Sequence, residues 1–172
     1  ITREGYVKYS SIKSYRGSGE NSLPGIKEGD ALVYAGKVMT TDFVLAFTNL
    51  GNFLYIPVHQ INENKWKDEG KHINYMISLP PNEKIIKVIA VQEFKEGVFI
   101  ELVSKFGQIK RIRLSDFSVV RYSKPLMCMK LLSEDEVVDV TFSSGDNTLA
   151  ILTKNGEATA YSETNIPVAS MR

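Results

Sequence analysis

Four segments of this chain place a glycine three residues after a serine or threonine and then continue into a β-prone run: ITREGYVKYSSIKSY, FTNLGNFLYIPVHQI, VSKFGQIKRIRLSDF and LTKNGEATAYSETNI. The anchor pairs Thr2/Gly5, Thr48/Gly51, Ser104/Gly107 and Thr153/Gly156 put the glycines at intervals of 46, 56 and 49 residues. The short pattern is weak alone, since SYRG and SLPG also match it. Its flanks strengthen it. An apolar run (VLAF, FIELV, LAIL) precedes the turn in the last three copies, and all four carry a large apolar residue ten places after the glycine: Tyr15, Ile61, Phe117 and Ile166. Apolar run, glycine turn and second run together predict a β-hairpin.

A second block opens on an acid upstream of the last three hairpins, in DALVYAGKV, EKIIKVIAV and EVVDVTF; its acids are Asp30, Glu83 and Glu136. Each period therefore predicts about four short strands, with longer loops at 16–29, 62–82 and 118–135. No stretch holds the apolar spacing of an amphipathic helix over about 11 residues. A period near 50 with four strands per unit is the pattern of propeller blades. The expectation is one all-β repeat domain spanning 1–172, with approximate repeats 1–42, 43–98, 99–148 and 149–172. The first copy lacks its leading strand and the last has no following acidic block, so the array is expected to be incomplete. Further repeats or partners would then cover its open edges.

Composition excludes several alternatives. The chain has 172 residues, 43% hydrophobic and 24% charged, enough for a folded core. No apolar run reaches the roughly 18 residues of a membrane span, and ITREGYVKYSS is no signal peptide, so no membrane partner is expected. The one cysteine, Cys128, is expected in the core of a protein from a reducing cytoplasm. His59 and His72 are too isolated to form a metal site with it. The run EDE at 134–136 lacks a neighbouring acid, base or nucleophile set and predicts a charged turn rather than catalytic carboxylates. RGSG lacks the GKS or GKT end of a phosphate-binding loop. No catalytic residue, metal, cofactor or small-molecule ligand is expected in this domain.

The net charge is only +1, but it is unevenly spread. Between Lys105 and Lys124 six cations (Lys105, Lys110, Arg111, Arg113, Arg121 and Lys124) face Asp116 alone. From Leu132 to Glu163 only Lys154 faces seven acids: Glu134, Asp135, Glu136, Asp139, Asp146, Glu157 and Glu163. On a strand from Gln108 to Leu114, alternation groups Ile109, Arg111 and Arg113 on one face. Arg111 and Arg113 are thus the expected phosphate pair, with Lys110 reaching round the rim. Lys8 matches Lys110 at three places after the glycine, and Lys13 and Arg16 extend that patch. Leu54 and Tyr55, or Thr159 and Ala160, stand there in the other copies. Lys65, Lys67 and Lys71 are the substitutes in the second repeat, diluted by Asp68 and Glu69, and Trp66 among them predicts loop packing. Lysine and arginine neutralise phosphates with little regard to sequence, so duplex DNA is the expected partner. The acidic last unit is expected to face away from it.

The runs GYVKYSSIKSYRGSG, EGDALVYAG, FTNLGNFLYIPVHQI, VQEFKEGVFIELVSKFGQIKRIRLSDF and VVDVTFSSGDNTLAILTKNG resemble the C-terminal domain of the A subunit of bacterial type IIA topoisomerases, over essentially the whole chain. The resemblance implies a β-pinwheel, a propeller-like disc of about five or six blades whose basic rim contacts DNA. In the gyrase branch the loop after the first hairpin carries QRRGGKG, which supports tight wrapping. Here it is YRGSGENSLPGIKEGD, where only Arg16, Gly17 and Gly19 match and Glu20 opposes. The topoisomerase IV branch is therefore favoured over a gyrase wrapping domain. The resemblance implies a non-catalytic domain that binds and bends DNA, within a cytoplasmic, nucleoid-associated heterotetramer of A and B subunits. ATP, magnesium and the DNA-cleaving tyrosine would lie elsewhere. A protein-interaction propeller is the remaining alternative, with the acidic segment as its support.

Overall fold

The computed structural model describes residues 1–19 and 21–171, so Glu20 lies outside the described residues. In chain order the elements are β1 (Tyr6–Val7), α1 (Ile12–Gly17), β2 (Phe43–Thr48), β3 (Asn52–Pro57), β4 (Lys71–His72), β5 (Ile85–Val91) and β6 (Phe99–Ser104). β7 (Ile109–Arg113), β8 (Leu126–Met127), β9 (Val137–Ser143), β10 (Thr148–Leu152) and β11 (Ala158–Ser162) follow.

The repeated anchor has one local geometry. In every copy the glycine N–H donates to the carbonyl of the Ser or Thr three places earlier, at 3.0 to 3.2 Å. The anchor hydroxyl accepts the N–H four places later: Tyr6 to Thr2, Asn52 to Thr48, Gln108 to Ser104 and Glu157 to Thr153. All four glycines have positive φ, between 77° and 95°. A hydroxyl acceptor and a left-handed glycine are what this turn requires, which explains why the pattern recurs.

Each hairpin is followed by a helical turn that begins seven places after its glycine. The 3-10 turns Val58–Gln60, Leu114–Phe117 and Glu163–Asn165 occupy this place in the last three copies, and α1 in the first. This corrects the expectation of strand up to Tyr15, Ile61, Phe117 and Ile166, and of no helix. Ser11 caps α1 by accepting from Ser14 N–H. At six residues the helix is too short for its spacing to register as a pattern.

Each of the two larger sheets keeps three strands inside one sequence period, β2, β3 and β5 within 43–98 and β6, β7 and β9 within 99–148, and β8 crosses from the next period. The larger sheet has the order β5-β2-β3-β8 and the next β7-β6-β9, all antiparallel. The last strand of each of these periods, β5 or β9, lies beside the first hairpin strand of the same period, β2 or β6. The second hairpin strand is bordered by a segment that follows the next hairpin, as in β1–β4, β3–β8 and the Arg111–Val168 bridge. Consecutive units are therefore interleaved. Both large sheets shift register at the anchor, at Thr48 and Ser104.

The central sheet is buried on both faces. Val44, Ala46, Leu54 and Ile56 pack with Val7, Ile73 and Ile77 on one side, and Leu45, Phe47, Phe53 and Tyr55 pack with Ile100, Leu102, Ile112 and Phe117 on the other. The Phe117 ring meets Phe53 edge-on at 4.9 Å. Cys128 joins this second core, where burial pushes its thiol pKa up to about 12. The β10–β11 hairpin, by contrast, contributes no residue to either core cluster, and Leu152 is 74% exposed.

The shared acids act at the anchors. Asp30 accepts the backbone N–H groups of Glu4 and Ala31, and Asp135 accepts those of Phe106 and Glu136. The equivalent acid of the third block is thus Asp135, and Glu136 is exposed. Glu83 reaches its turn differently, accepting from Thr48 Oγ1 at 2.5 Å and Asn52 Nδ2 at 2.7 Å.

Candidate nucleic-acid interface

The basic run of the third hairpin divides into buried and exposed cations. Arg111 is 6% exposed. Its Nη1 donates to the carbonyls of Glu163 and Ile166 at 2.8 and 3.5 Å, its Nη2 to that of Gly145 at 3.1 Å, and its guanidinium lies 4.0 Å from the centre of the Phe99 ring. Below it, Glu101 Oε1 stands 3.8 Å from Arg111 Nε. Lys110 donates to the carbonyl of Met171 at 2.8 Å, and burial lowers its pKa, with Cys128 opposing. Arg111 and Lys110 are therefore occupied by the segment that follows the fourth hairpin. The expected pair on one strand face reduces to Arg113, which is exposed.

Lys8 is held in the same way. Its ammonium donates to the carbonyls of Gly25 at 2.9 Å and Trp66 at 2.7 Å, and to that of Asp68. Burial lowers its pKa, Asp68 opposes and Lys67 adds to the lowering. The match of Lys8 to Lys110 between the first and third copies is real in register, but in both the matched side chain binds carbonyls of the protein.

What remains at the surface comes from loops and from α1. Lys13 and Arg16 project from α1, and Lys65, Lys71, Arg121 and Lys124 from loops or strand ends, all exposed. Among the described residues none of these side chains, nor that of Arg113, forms an internal hydrogen bond or ion pair. Trp66 is partly buried and packs edge-on against Tyr15 at 4.9 Å, as loop packing predicts. The Arg121–Lys124 loop is held by Tyr122, which packs on Tyr55 and accepts from Gln60 Nε2 at 3.0 Å.

The acidic unit is less acidic at its surface than its sequence. Glu163 is fully buried, its Oε2 accepting from Ser143 Oγ and from the N–H groups of Gly145 and Asn147. Asp135 is also buried. The Glu101–Arg111–Glu163 cluster escaped sequence reading, although Glu101 sits within the apolar run FIELV, and a lone charge there is its signal. Burial and then the Glu163 carboxylate raise the pKa of Glu101, while Arg111 and Ser143 oppose. Among the described residues no group of three or more His, Cys, Asp or Glu is placed to hold a metal, and no helix is long and apolar enough to cross a membrane.

Residues 1–38, 42–92 and 102–144 match the family of the DNA gyrase C-terminal domain, beta-propeller. The chain belongs to this family. The A subunit of DNA topoisomerase 4 from Staphylococcus epidermidis is 34% identical over the whole chain, and that from Bacillus subtilis 33%. The chain spans 21% of the length of each of these relatives. Among solved structures, the C-terminal domain of DNA topoisomerase IV superposes with a TM-score of 0.90 at 37% identity, covering all of this chain and 53% of that one. A DNA gyrase A C-terminal domain aligns with a TM-score of 0.70 at 22% identity, over 99% of this chain and 55% of that one, and shares the fold. The likeness is thus greater to this topoisomerase IV domain than to this gyrase domain.

Proposed function

We propose that this chain is a DNA-binding domain of a topoisomerase IV A subunit, holding and bending duplex DNA on its rim while the rest of the enzyme passes strands. The observation that carries this reading is a group of exposed cations, Lys13, Arg16, Lys65, Lys71, Arg113, Arg121 and Lys124, on the helix, loops and hairpin ends, whose side chains form no hydrogen bond or ion pair among the described residues. Such groups neutralise phosphates and release counterions, which gives affinity that depends little on base sequence. Bending fits a convex rim, because DNA that follows it reaches more cations than a straight duplex would. In this reading the domain has no chemistry of its own. It sets which crossings reach the cleaving tyrosine, and the B subunit, ATP and magnesium work elsewhere in a cytoplasmic heterotetramer.

The test is a duplex titration across salt concentrations, with end-to-end energy transfer reporting the bend. If about five phosphates are neutralised, log affinity falls against log salt with a slope of roughly −4 to −5. Duplex affinity indifferent to salt would sink the reading.

A further inference from the structure

Lys8 stands at a node between two segments that have little regular structure. Gly25, whose carbonyl it binds, lies in the loop after α1; Trp66 and Asp68 lie in the loop of the next repeat. Three carbonyl oxygens match the three donors of one ammonium. The same two segments meet through Gly25 N–H on the Trp66 carbonyl at 2.9 Å, Trp66 Nε1 on the Ser22 carbonyl at 2.8 Å, and Trp66 N–H on Ser14 Oγ at 3.0 Å. The last bond ties Ser14, which follows Lys13 on α1, to Trp66, which follows Lys65 in the loop of the next repeat. Without a cation at Lys8, carbonyl dipoles would converge with nothing to neutralise them.

We propose that Lys8 is a positioning residue for duplex DNA: it draws the loop around Trp66 against α1, so that Lys13, Arg16 and Lys65 from two repeats meet phosphates as one surface. The inference rests on the DNA-binding reading above. It assigns Lys8 a role in affinity without contact to DNA. It also makes the spacing of the two loops, and not their charge alone, a determinant of binding. Gly25 supplies an independent handle, because a Cβ there would stand 1.9 Å from the Lys67 carbonyl and force the loops apart without removing any charge.

The experiment compares wild type, Lys8→Met, Lys8→Arg, Gly25→Ala and Lys13→Ala/Lys65→Ala, each titrated with labelled duplex over a salt series. Iodide quenching of Trp66, the one tryptophan, reports the loop. Lys8→Met and Gly25→Ala should both expose Trp66 and make the salt slope shallower by ~1.8, the contribution of two phosphates, with the β-sheet circular dichroism retained. Lys8→Arg should restore part of both signals. Lys13→Ala/Lys65→Ala should lower the slope with Trp66 unchanged, and should cost little further in the Lys8→Met background. Weaker binding in Lys8→Met with Trp66 still shielded would mean that Lys8 meets phosphate itself, overturning the inference. Unchanged affinity in Gly25→Ala with Trp66 exposed overturns it as well. If wild type fails to bind duplex, the DNA-binding reading falls and takes this inference with it, an outcome distinct from both.

Discussion

Arg111 donates from its guanidinium to the backbone carbonyl of Glu163 at 2.8 Å, so a strand of the third hairpin holds the turn that ends the fourth. The side chain that most resembled a DNA contact is instead a buried tie between units. Replacing it with methionine leaves Glu101 buried without the cation beside it, and the carbonyls of Glu163, Ile166 and Gly145 without their donor. Arg111→Met should lose about 3–5 kcal/mol of stability in urea denaturation, while the duplex salt slope of the folded fraction stays as in wild type.

The pH dependence of that loss has a definite sign. The folded Glu101 pKa is raised, so the folded state holds a proton that the unfolded chain, near 4.3, releases. Its favourable contribution is complete below the unfolded pKa and is lost as pH rises through the folded one. Removing Arg111, which opposes the shift, should extend that window upward. Arg111→Met should therefore lose more stability at neutral pH than at pH 5, measured by parallel urea melts.

Asp135 has the opposite sign. Burial works against its charge, but hydrogen bonds from Ser104 and from the N–H groups of Phe106 and Glu136, with Lys105 nearby, hold its pKa below the usual carboxylate range. Its contribution is present above the unfolded pKa and fades as pH falls through the folded one. Asp135→Asn should lower the melting temperature at neutral pH and flatten its fall in acid. An unchanged acid limb would count against this assignment.

Among the cations, Arg113→Ala/Lys124→Ala should make the duplex salt slope shallower by ~0.9 for each phosphate no longer neutralised. Lys110→Ala should leave it unchanged, since that ammonium is bound to the Met171 carbonyl. A salt series on both variants distinguishes the two outcomes.

The anchor glycines should not be equivalent. A Cβ at Gly51 would stand 2.2 Å from the Met129 carbonyl, whereas one at Gly107 meets open space. Both have positive φ, which costs an L-residue about 1–2 kcal/mol. Gly107→Ala should lose about that much in thermal or urea melts, and Gly51→Ala clearly more.

Much of the fold was legible because its turns are local. A Ser or Thr acceptor, a glycine at positive φ and an apolar residue ten places on are requirements of consecutive residues, so they recur wherever the hairpin recurs. Alternation likewise grouped Ile109, Arg111 and Arg113 on one face of β7. It failed at Arg111, because strand alternation tells which face a side chain takes and not what later lies upon that face. Lys8 and Lys110 failed for the same reason: their partners lie on the Trp66 loop and at Met171, far along the chain.

The amino-acid sequence by itself determined the repeat, its hairpins, the family resemblance and the presence of a cationic surplus, all of which depend on residue type and local spacing. Only the tertiary structure decided which cations remain for a partner. Interleaved units bring distant carbonyls onto Lys8, Lys110 and Arg111, and an ammonium or guanidinium satisfied by the backbone is not free for phosphate. Lys13, Arg16, Lys65, Lys71, Arg113, Arg121 and Lys124, which project from α1, the loops and the hairpin ends, form no such bond among the described residues, because they point outward and are exposed.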